Sequence, residues 1–178
     1  MAKLIIIVGV GGSGKTTYGK SLAEERYATA FIDGTLAEGD ARRAGFRCLG
    51  EMVARLLGRG EDCVMDESHL THPGFRETFK DFCDQFLAGV DQEWIFFEND
   101  ILACINNVYF DQNKAKPRIG LPRLKAVQDQ GRHYEVPPPG IYPGHHQARS
   151  VYQQPSPQFN DILKAQTWLQ AEIERQSK

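Results

Sequence analysis

The sequence predicts a three-layer α/β fold with a central parallel sheet, and three observations support this prediction. Short apolar segments alternate with longer amphipathic segments along the 178 residues. The first apolar segment, Leu4 to Val8, has no alternating polar residues, as expected of a strand that is covered on both faces. Each predicted strand ends at a glycine or a polar residue, and open α/β sheets bind their ligands at that edge.

The elements follow from local patterns. Short apolar runs predict strands over Leu4 to Val8, Ala30 to Ile32, Cys63 to Met65 and Trp94 to Phe97, with a brief further strand near Ser150 to Tyr152. Helices are expected over about Lys15 to Arg26, Arg47 to Leu57, Pro73 to Leu87, from Asn99 or Asp100 through Val108, and from Ser156 onward. The length and the regular alternation indicate one domain over residues 1–178.

Composition excludes several classes of function. The formal net charge is −2, so no global field attracts nucleic acid or an anionic membrane, and a polyanion needs a local basic patch. The four cysteines are dispersed without a C-x-x-C pair, which favours reduced thiols over disulfides or zinc. No segment approaches membrane-spanning length, so we expect no membrane partner. Together with the dispersed cysteines, this favours a cytoplasmic protein. No obligate protein partner is implied.

The glycine-rich stretch after the first strand fits two motifs. Gly9, Gly11 and Gly14, with Asp33 about 20 residues on, have the G-x-G-x-x-G spacing of a dinucleotide site. Gly9, Gly14, Lys15 and Thr16 also complete G-x-x-x-x-G-K-[ST], the phosphate-binding P-loop. Lys15 and Thr16 favour the second motif, because a triphosphate needs a lysine ammonium and a hydroxyl ligand for Mg²⁺, which a dinucleotide does not.

The P-loop therefore predicts ATP and Mg²⁺ as cofactors. The nucleotide-binding residues are expected to be Gly11, Gly12, Ser13, Gly14, Lys15, Thr16 and Thr17. Thr16 is a predicted Mg²⁺ ligand together with Asp66, which ends the third strand and is placed to orient the metal shell. A polar surface turn is the alternative for Asp66 and its neighbours. Glu67 could instead polarise a water, as in an ATP-hydrolysing switch.

Asp33 ends the second strand, across the crevice from the P-loop. A carboxylate at this point can accept the proton of an attacking hydroxyl in line with the terminal phosphate, so Asp33 is predicted to act as catalytic base and substrate contact. The alternative is a common Asp-Gly turn. Arg42, Arg43 and Arg47 follow as predicted acceptor-phosphate contacts, although a solvated helix face explains any one of them equally well.

A basic segment over residues 111–135 is the predicted lid. It carries Lys114, Lys116, Arg118, Arg123, Lys125 and Arg132. Closing such a segment over the phosphates would expel water and stabilise charge in the transition state. The alternative is a solvated basic loop. His145 and His146 are expected to lie in a loop, and His69 and His72 to be structural or substrate-facing and not metal ligands.

With these parts in place, residues 3–135 resemble the polynucleotide-kinase and zeta-toxin-like group of P-loop kinases. Asp66-Glu67-Ser68-His69-Leu70-Thr71 is similar to the group's D-x-[ST]-[NH]-L-[TN] element, with Arg76 on the next helix, and Phe97 to Asn107 is similar to its pre-lid segment. The resemblance implies a kinase-type P-loop NTPase fold with a basic lid. It also implies substrate contacts for His69 and Arg76.

The same resemblance leaves the acceptor open. Group members phosphorylate 5′-hydroxyls of DNA or RNA, nucleoside monophosphates, or hydroxymethylpyrimidines in viral DNA, so a viral protein in a host cytoplasm is one possibility. The group commonly has an arginine-asparagine pair before the lid, whereas this chain has Asn106-Asn107, so Arg118 or Arg123 becomes the expected catalytic lid arginine. Asp33-Gly34-Thr35 is also similar to kinases of sugar acids or adenylyl sulfate.

Overall fold

The computed structural model describes residues 2–25, 29–33, 41–109 and 121–153, together with Thr167 and Ala171. Its strands are β1 (Lys3–Val8), β2 (Thr29–Asp33), β3 (Asp62–Glu67) and β4 (Asp91–Phe96). Its helices are α1 (Lys15–Glu24), α2 (Ala41–Gly58), α3 (Pro73–Phe86), α4 (Ile101–Tyr109) and α5 (Leu121–His133), with a short 3-10 helix over His69–Thr71. From β1 to α4 the described strands and longer helices therefore alternate as predicted, whereas α5 is a further helix within the segment predicted as a lid.

The four strands form one parallel sheet in the order β2-β3-β1-β4. β1 is central, and its register places Ile7 beside Asp66 and Val8 beside Glu67. On the far side of β3, Asp33 is in register with Asp66. Because all the strands are parallel, the ends of β1, β2 and β3 lie at one edge of the sheet.

Two apolar layers cover the sheet. Ile5, Ile7 and Val64 pack against the inner face of α1, which contributes Tyr18 and Leu22. The opposite face carries the larger cluster, in which strand residues pack against side chains of the other helices: Leu4, Ile6, Val8, Met65, Phe79, Cys83, Trp94, Phe96, Leu124 and Val127. Alternation along a strand means that Asp66 shares the α1 face with Val64, and Glu67 shares the larger face with Met65.

Several boundaries differ from the sequence expectation. α2 begins at Ala41, six residues before the expected Arg47, because the segment Ala41-Arg42-Arg43-Ala44 is compatible with a helix in spite of Gly45. α3 begins at Pro73 as expected, with the His72 ring accepting a hydrogen bond from Gly74 N–H. The side chain of Asp100, not Asn99, caps α4 by accepting from Ala103 N–H at 3.0 Å.

The expected fifth strand is reduced to a single parallel bridge between Phe97 and Arg149. It lies beside β4, where Arg149 N–H donates to Phe96 O at 2.7 Å and Glu98 N–H donates to Arg149 O at 2.8 Å. The segment after the bridge returns to the phosphate loop. The final helix expected from Ser156 lies outside the described residues, apart from Thr167 and Ala171.

Three of the four cysteines are described, and all three are buried free thiols. Burial raises the pKa of Cys63, Cys83 and Cys104 to about 12, so these thiols stay protonated near neutral pH. These three thiols are thus buried, while their reduced state stays a prediction and the side chain of Cys48 lies outside the described residues. Within the ranges that the structure describes, no helix is long and apolar enough to cross a membrane.

Candidate nucleotide site at the carboxyl edge of the sheet

The phosphate loop runs from Gly9 to Gly14 between β1 and α1. Gly12 and Gly14 both have left-handed backbone conformations, with φ of 85° and 93°. Alternation of left-handed and right-handed residues turns successive N–H groups toward one concavity, which is the geometry of an anion-binding nest. In the part of the chain that the structure describes, no side chain caps the start of α1, and its first turn carries no acidic residue. A phosphate fits this helix start.

Two predicted site residues meet directly beside the loop. Thr16 Oγ1 donates a hydrogen bond to Asp66 Oδ2. Asp66 is 2% exposed and Lys15 is 8% exposed, so both charged groups lie at the base of the loop and not on the open surface. A hydroxyl and a carboxylate oxygen are hard donors of the type that Mg²⁺ prefers, so Thr16 and Asp66 fit the ion expected with ATP.

Three contacts from distant parts of the chain hold the loop. Gln130 Oε1 accepts a hydrogen bond from Gly11 N–H at 2.9 Å. Asn107 Nδ2 donates to Gly12 O at 2.8 Å, and also to Tyr152 O. Tyr152 N–H donates to Ser13 O at 3.1 Å. The loop conformation therefore depends on α4, α5 and the segment after the Arg149 bridge, as well as on its glycines.

Close packing also explains why glycine occupies two loop positions. A Cβ on Gly12 would lie 2.5 Å from the backbone oxygen of Cys104 in α4. A Cβ on Gly14 would lie 2.8 Å from the Cβ of Tyr152. Both positions combine a positive φ with a neighbour at very short range, so a side chain at either one would displace the loop.

Glu67 lies on the sheet face opposite Asp66, and it is buried. Its Oε1 accepts from His69 N–H at 2.7 Å and lies 2.7 Å from Nδ1 of the His69 ring. Its side chain is fully shielded from solvent, while the imidazole is 29% exposed. This arrangement fixes the ring of His69 at the carboxyl edge of β3. Glu67 is thus engaged with His69, whereas the sequence alone left open that it polarises a water.

Arg76 is buried away from the loop. Its Nε donates to the hydroxyl of Tyr142 at 3.1 Å, and Nη1 donates to the carbonyl oxygens of Leu70 and Glu135 at 3.4 Å. These bonds tie α3 to the segment that follows α5. A substrate contact through Arg76, as implied by the family resemblance, stays a prediction.

The remaining predicted residues are described unevenly. The backbone of Asp33 lies beside Asp66 through the strand register, but its side chain lies outside the described residues. Arg42, Arg43 and Arg47 lie on α2, and their side chains are likewise outside the description. Arg118 lies outside the described residues altogether, whereas Arg123 is exposed on α5. Their catalytic and substrate roles stay predictions.

The predicted lid is partly a core helix. On α5, Leu124 and Val127 are buried in the main apolar cluster, and Tyr134 just beyond the helix is buried as well. Asn99 Nδ2 donates to Gly131 O at 2.9 Å and to Tyr134 O at 2.7 Å. Moving this part of the segment would expose side chains whose burial contributes roughly 1.5–3 kcal/mol each. The part of α5 from Leu124 onward is therefore not expected to act as a moving lid.

His145 and His146 lie in the irregular segment after α5, as expected. His145 is buried, its Nε2 donates to Pro137 O at 3.1 Å, and its ring stands edge-on to Phe96. Exposed basic side chains of α5 include Lys125 and Arg132, of which Arg132 lies 3.6 Å from Asp129.

Sequence reasoning missed the residues that hold the phosphate loop. A spacing of three residues on α5 links the apolar Leu124 and Val127 to Gln130, which is partly buried. A polar residue that continues an apolar helical pattern was a usable signal for Gln130. Asn107 carried a weaker signal, as part of the Asn106-Asn107 pair. The contact of Tyr152 depends on long-range chain geometry, which no local pattern encodes.

Solved structures with similar folds include kinases. A gluconokinase from Sinorhizobium meliloti 1021 matches with a TM-score of 0.59 and 19% identity, covering 99% of this chain and 98% of its own. A fungal RNA kinase matches with a TM-score of 0.60 and 12% identity, covering 98% and 85%. Chaetomium thermophilum Kti12 in complex with ADP-AlF3 matches with a TM-score of 0.55 and 14% identity, covering 93% and 97%.

No protein-family model matches the sequence, and no curated protein sequence matches it significantly. The structural similarities to these three nevertheless extend over 93–99% of this chain. The chain therefore has the α/β P-loop fold of the kinase type, as the sequence predicted.

Proposed function

We propose that this chain is an ATP-dependent kinase that transfers the terminal phosphoryl group of ATP to a hydroxyl on a nucleic acid or nucleotide. In this reaction the acceptor oxygen bonds to the terminal phosphorus, the bond from that phosphorus to the bridging oxygen breaks, and ADP leaves. The hydroxyl proton passes to a base, for which Asp33 is our assignment. A 5′-hydroxyl or the hydroxymethyl group of a modified pyrimidine would be a suitable acceptor.

The contact between Thr16 and Asp66 is the observation that carries this proposal. It joins the phosphate loop to the end of β3, beside the buried Lys15, and the strand register puts Asp33 next to Asp66. Lys15 would neutralise phosphate charge, and Thr16 with Asp66 would hold Mg²⁺, which supplies charge stabilisation to the phosphates. A base on the neighbouring strand would face the acceptor, which is the arrangement that a kinase needs.

The nucleic-acid acceptor is supported by the D-x-[ST]-[NH]-L-[TN] element and by basic residues beyond those that ATP requires. Arg42, Arg43 and Arg47 on α2 and Arg123 on α5 are suitable phosphate contacts. Such contacts position a polynucleotide without reading its sequence. A protein of this kind would work in the cytoplasm, of a host cell if it is viral, without an obligate protein partner.

A kinase acting on a sugar acid or adenylyl sulfate is the second candidate. The gluconokinase matches this chain about as well as the RNA kinase does, with TM-scores of 0.59 and 0.60. The Asp33-Gly34-Thr35 sequence also suits a small acceptor. An ATP-hydrolysing switch is a weaker alternative, because Glu67 is engaged with His69 on the sheet face opposite Asp66.

The test is to incubate the protein with ATP labelled at the terminal phosphate and a panel of acceptors. The panel contains 5′-hydroxyl DNA and RNA, hydroxymethylpyrimidine DNA, nucleoside monophosphates, gluconate and adenylyl sulfate. We expect label on a nucleic acid or nucleotide. Asp33→Asn should lower this transfer by about 10²-fold while ATP binding stays nearly intact.

Asp62→Asn is the matched control, because Asp62 begins β3 at the opposite edge of the sheet, where it accepts from Lys3 N–H at 2.8 Å. For a polynucleotide, affinity should fall with salt by a slope of roughly 0.7 to 0.9 per phosphate neutralised, whereas ATP affinity changes less. Removing two of the α2 arginines should flatten that slope. Efficient labelling of gluconate or adenylyl sulfate with a flat salt response would favour the second candidate.

A further inference from the structure

Gln130 connects α5 to the phosphate loop through one well-defined hydrogen bond. Its Oε1 lies 2.9 Å from the nitrogen of Gly11 and accepts its proton. An N–H group can donate only to the oxygen of a carboxamide, so this partner fixes which end of the side chain faces the loop. The Nε2 end, which carries two hydrogens, therefore lies on the other side of the carboxamide.

The helix and the loop are in direct contact at this point. A Cβ built on Gly11 would lie 3.3 Å from Cγ2 of Val127 and 3.6 Å from Oε1 of Gln130. A side chain at position 11 would therefore touch both residues of α5. The carboxamide of Gln130 thus lies against the backbone of a loop whose N–H groups are arranged to surround phosphate.

The backbone that carries Gln130 is fixed. Gly131 packs so closely on α4 that a Cβ there would lie 1.5 Å from Cδ1 of Ile101. Its carbonyl oxygen accepts from Asn99 Nδ2 at 2.9 Å, and Val127, one turn earlier, is buried in the core. Gln130 is therefore presented to the loop by a rigid part of α5, and not by a segment that must close first.

A carboxamide at this position can make two bonds at once. Its oxygen accepts from the loop, and its nitrogen can donate to a phosphate oxygen held by that loop. A neutral donor of this kind would add a hydrogen bond to the charge that Lys15 supplies. The described basic residues Arg123 and Arg132 of α5 are exposed, with Arg132 beside Asp129, whereas the partly buried Gln130 contacts the loop, so at this point the helix offers an amide and not a cation.

We propose that Gln130 is a catalytic residue that bridges the phosphate loop and the terminal phosphate of ATP, its Oε1 accepting from Gly11 and its Nε2 donating to that phosphate. This inference rests on the proposed kinase function and adds a residue that hydrogen-bonds to the terminal phosphate. It follows that Gln130 contributes more to the binding of ATP than to the binding of ADP. It also contributes to turnover, because charge on the transferred group changes in the transition state.

Three variants separate this role from simple support of the loop. Gln130→Ala removes both bonds. Gln130→Glu keeps an oxygen for Gly11 and the size of the side chain, but it loses the donor and puts a negative charge beside the phosphate. Gln128→Ala is the matched control, since it removes the same side chain from the same helix two residues away.

The measurements are the dissociation constants of Mg-ATP and Mg-ADP by calorimetry, the kcat and KM of transfer, and the thermal unfolding midpoint. Gln130→Ala should weaken ATP binding and lower kcat/KM by about tenfold to hundredfold, the range expected for one lost hydrogen bond to a charged group, with ADP affinity nearly unchanged. Gln130→Glu should be worse than Gln130→Ala with ATP, and again nearly unchanged with ADP. Gln128→Ala should match the wild type.

The inference is overturned if Gln130→Glu restores wild-type ATP binding and turnover, because a role limited to holding Gly11 needs only the acceptor. Equal losses for ATP and ADP would also overturn it, since the effect would then not involve the terminal phosphate. If Gln130→Ala unfolds, wild-type ATP binding and turnover by Gln130→Glu still overturn the inference. If the wild type transfers phosphate and every Gln130 variant behaves like Gln128→Ala, only this inference is refuted. If the wild type binds no ATP, the proposed function is refuted as well.

Discussion

The phosphate loop and the acceptor side of the same sheet edge are built in different ways. The loop is defined by its backbone: glycines with φ of 85° and 93°, and hydrogen bonds from Gln130, Asn107 and Tyr152 to its peptide groups. The side proposed for the acceptor carries side chains that follow β3, such as His69, held by Glu67. In the proposed kinase, nucleotide binding would depend on one peptide conformation, and acceptor choice on individual side chains.

This difference explains why the acceptor is harder to assign than the nucleotide. A loop that wraps phosphate with its N–H groups tolerates few sequences, so its motif is specific. An acceptor hydroxyl needs only one base and a few contacts, which many side chains can supply. Similar folds thus include both a gluconokinase and an RNA kinase, with almost the same TM-scores of 0.59 and 0.60.

The largest effect is expected from Gly12→Ala, which would disturb the backbone conformation of the phosphate loop. Its new Cβ would meet the Cys104 backbone oxygen at 2.5 Å and Cγ2 of Val108 at 2.7 Å, at a φ of 85°. Because the backbone of α4 cannot retreat, the loop must shift. We expect ATP affinity to fall by about 10²-fold or more, as measured by calorimetry, since several phosphate contacts are lost together.

Gly89→Ala is the control for this prediction. Gly89 also has a φ of 85°, but a Cβ there would have nothing within 4 Å. It should cost only the left-handed strain, roughly 1–2 kcal/mol of unfolding free energy, and leave ATP affinity unchanged. If Gly12→Ala bound ATP as well as Gly89→Ala does, the loop would not depend on its contact with α4.

A smaller effect is expected from Glu67→Gln on the acceptor side. Glutamine keeps the size of the side chain and an oxygen that can accept from His69 N–H. Because it lacks the negative charge, its contact with Nδ1 of the His69 ring is weaker. We expect transfer to the acceptor to fall by no more than about tenfold, the effect of weakening one charge-assisted hydrogen bond. ATP binding should not change. The rates of phosphate transfer and of ATP hydrolysis without acceptor are measured in parallel. A large loss of acceptor-free hydrolysis in Glu67→Gln would support an ATP-hydrolysing switch instead of a kinase.

Much of the fold could be predicted because the strands are unusually clear. Leu4 to Val8 is wholly buried, and every strand ends at the edge where the motif predicted the ligand. The start of α2 was misplaced because Gly45 looks like a helix breaker locally. The character of α5 was incompletely predicted for a different reason: its basic residues suggested a lid, whereas burial of Leu124 and Val127 makes its inner face part of the core.

Within the site, the sequence predicted the residues that carry the motif but not those that support it. Thr16 and Asp66 are 50 positions apart, yet both follow directly from strand and loop patterns, and they are hydrogen-bonded to each other. Their roles as Mg²⁺ ligands stay predictions. Gln130 and Tyr152 reach the loop only because α5 and the Arg149 bridge bring them there. Contacts that depend on tertiary packing leave little trace in the local sequence.

We expect the glycine-rich stretch to bind a magnesium-complexed triphosphate and not a dinucleotide. The most direct test is to titrate the wild type and Lys15→Ala with ATP, with and without Mg²⁺, and with NAD. We expect the wild type to bind ATP in a magnesium-dependent manner and NAD weakly or not at all. Lys15→Ala should abolish phosphotransfer, because the ammonium stabilises the transition state more than the ground state. Tight binding of NAD, without magnesium-dependent binding of ATP, would show instead that the stretch is a dinucleotide site.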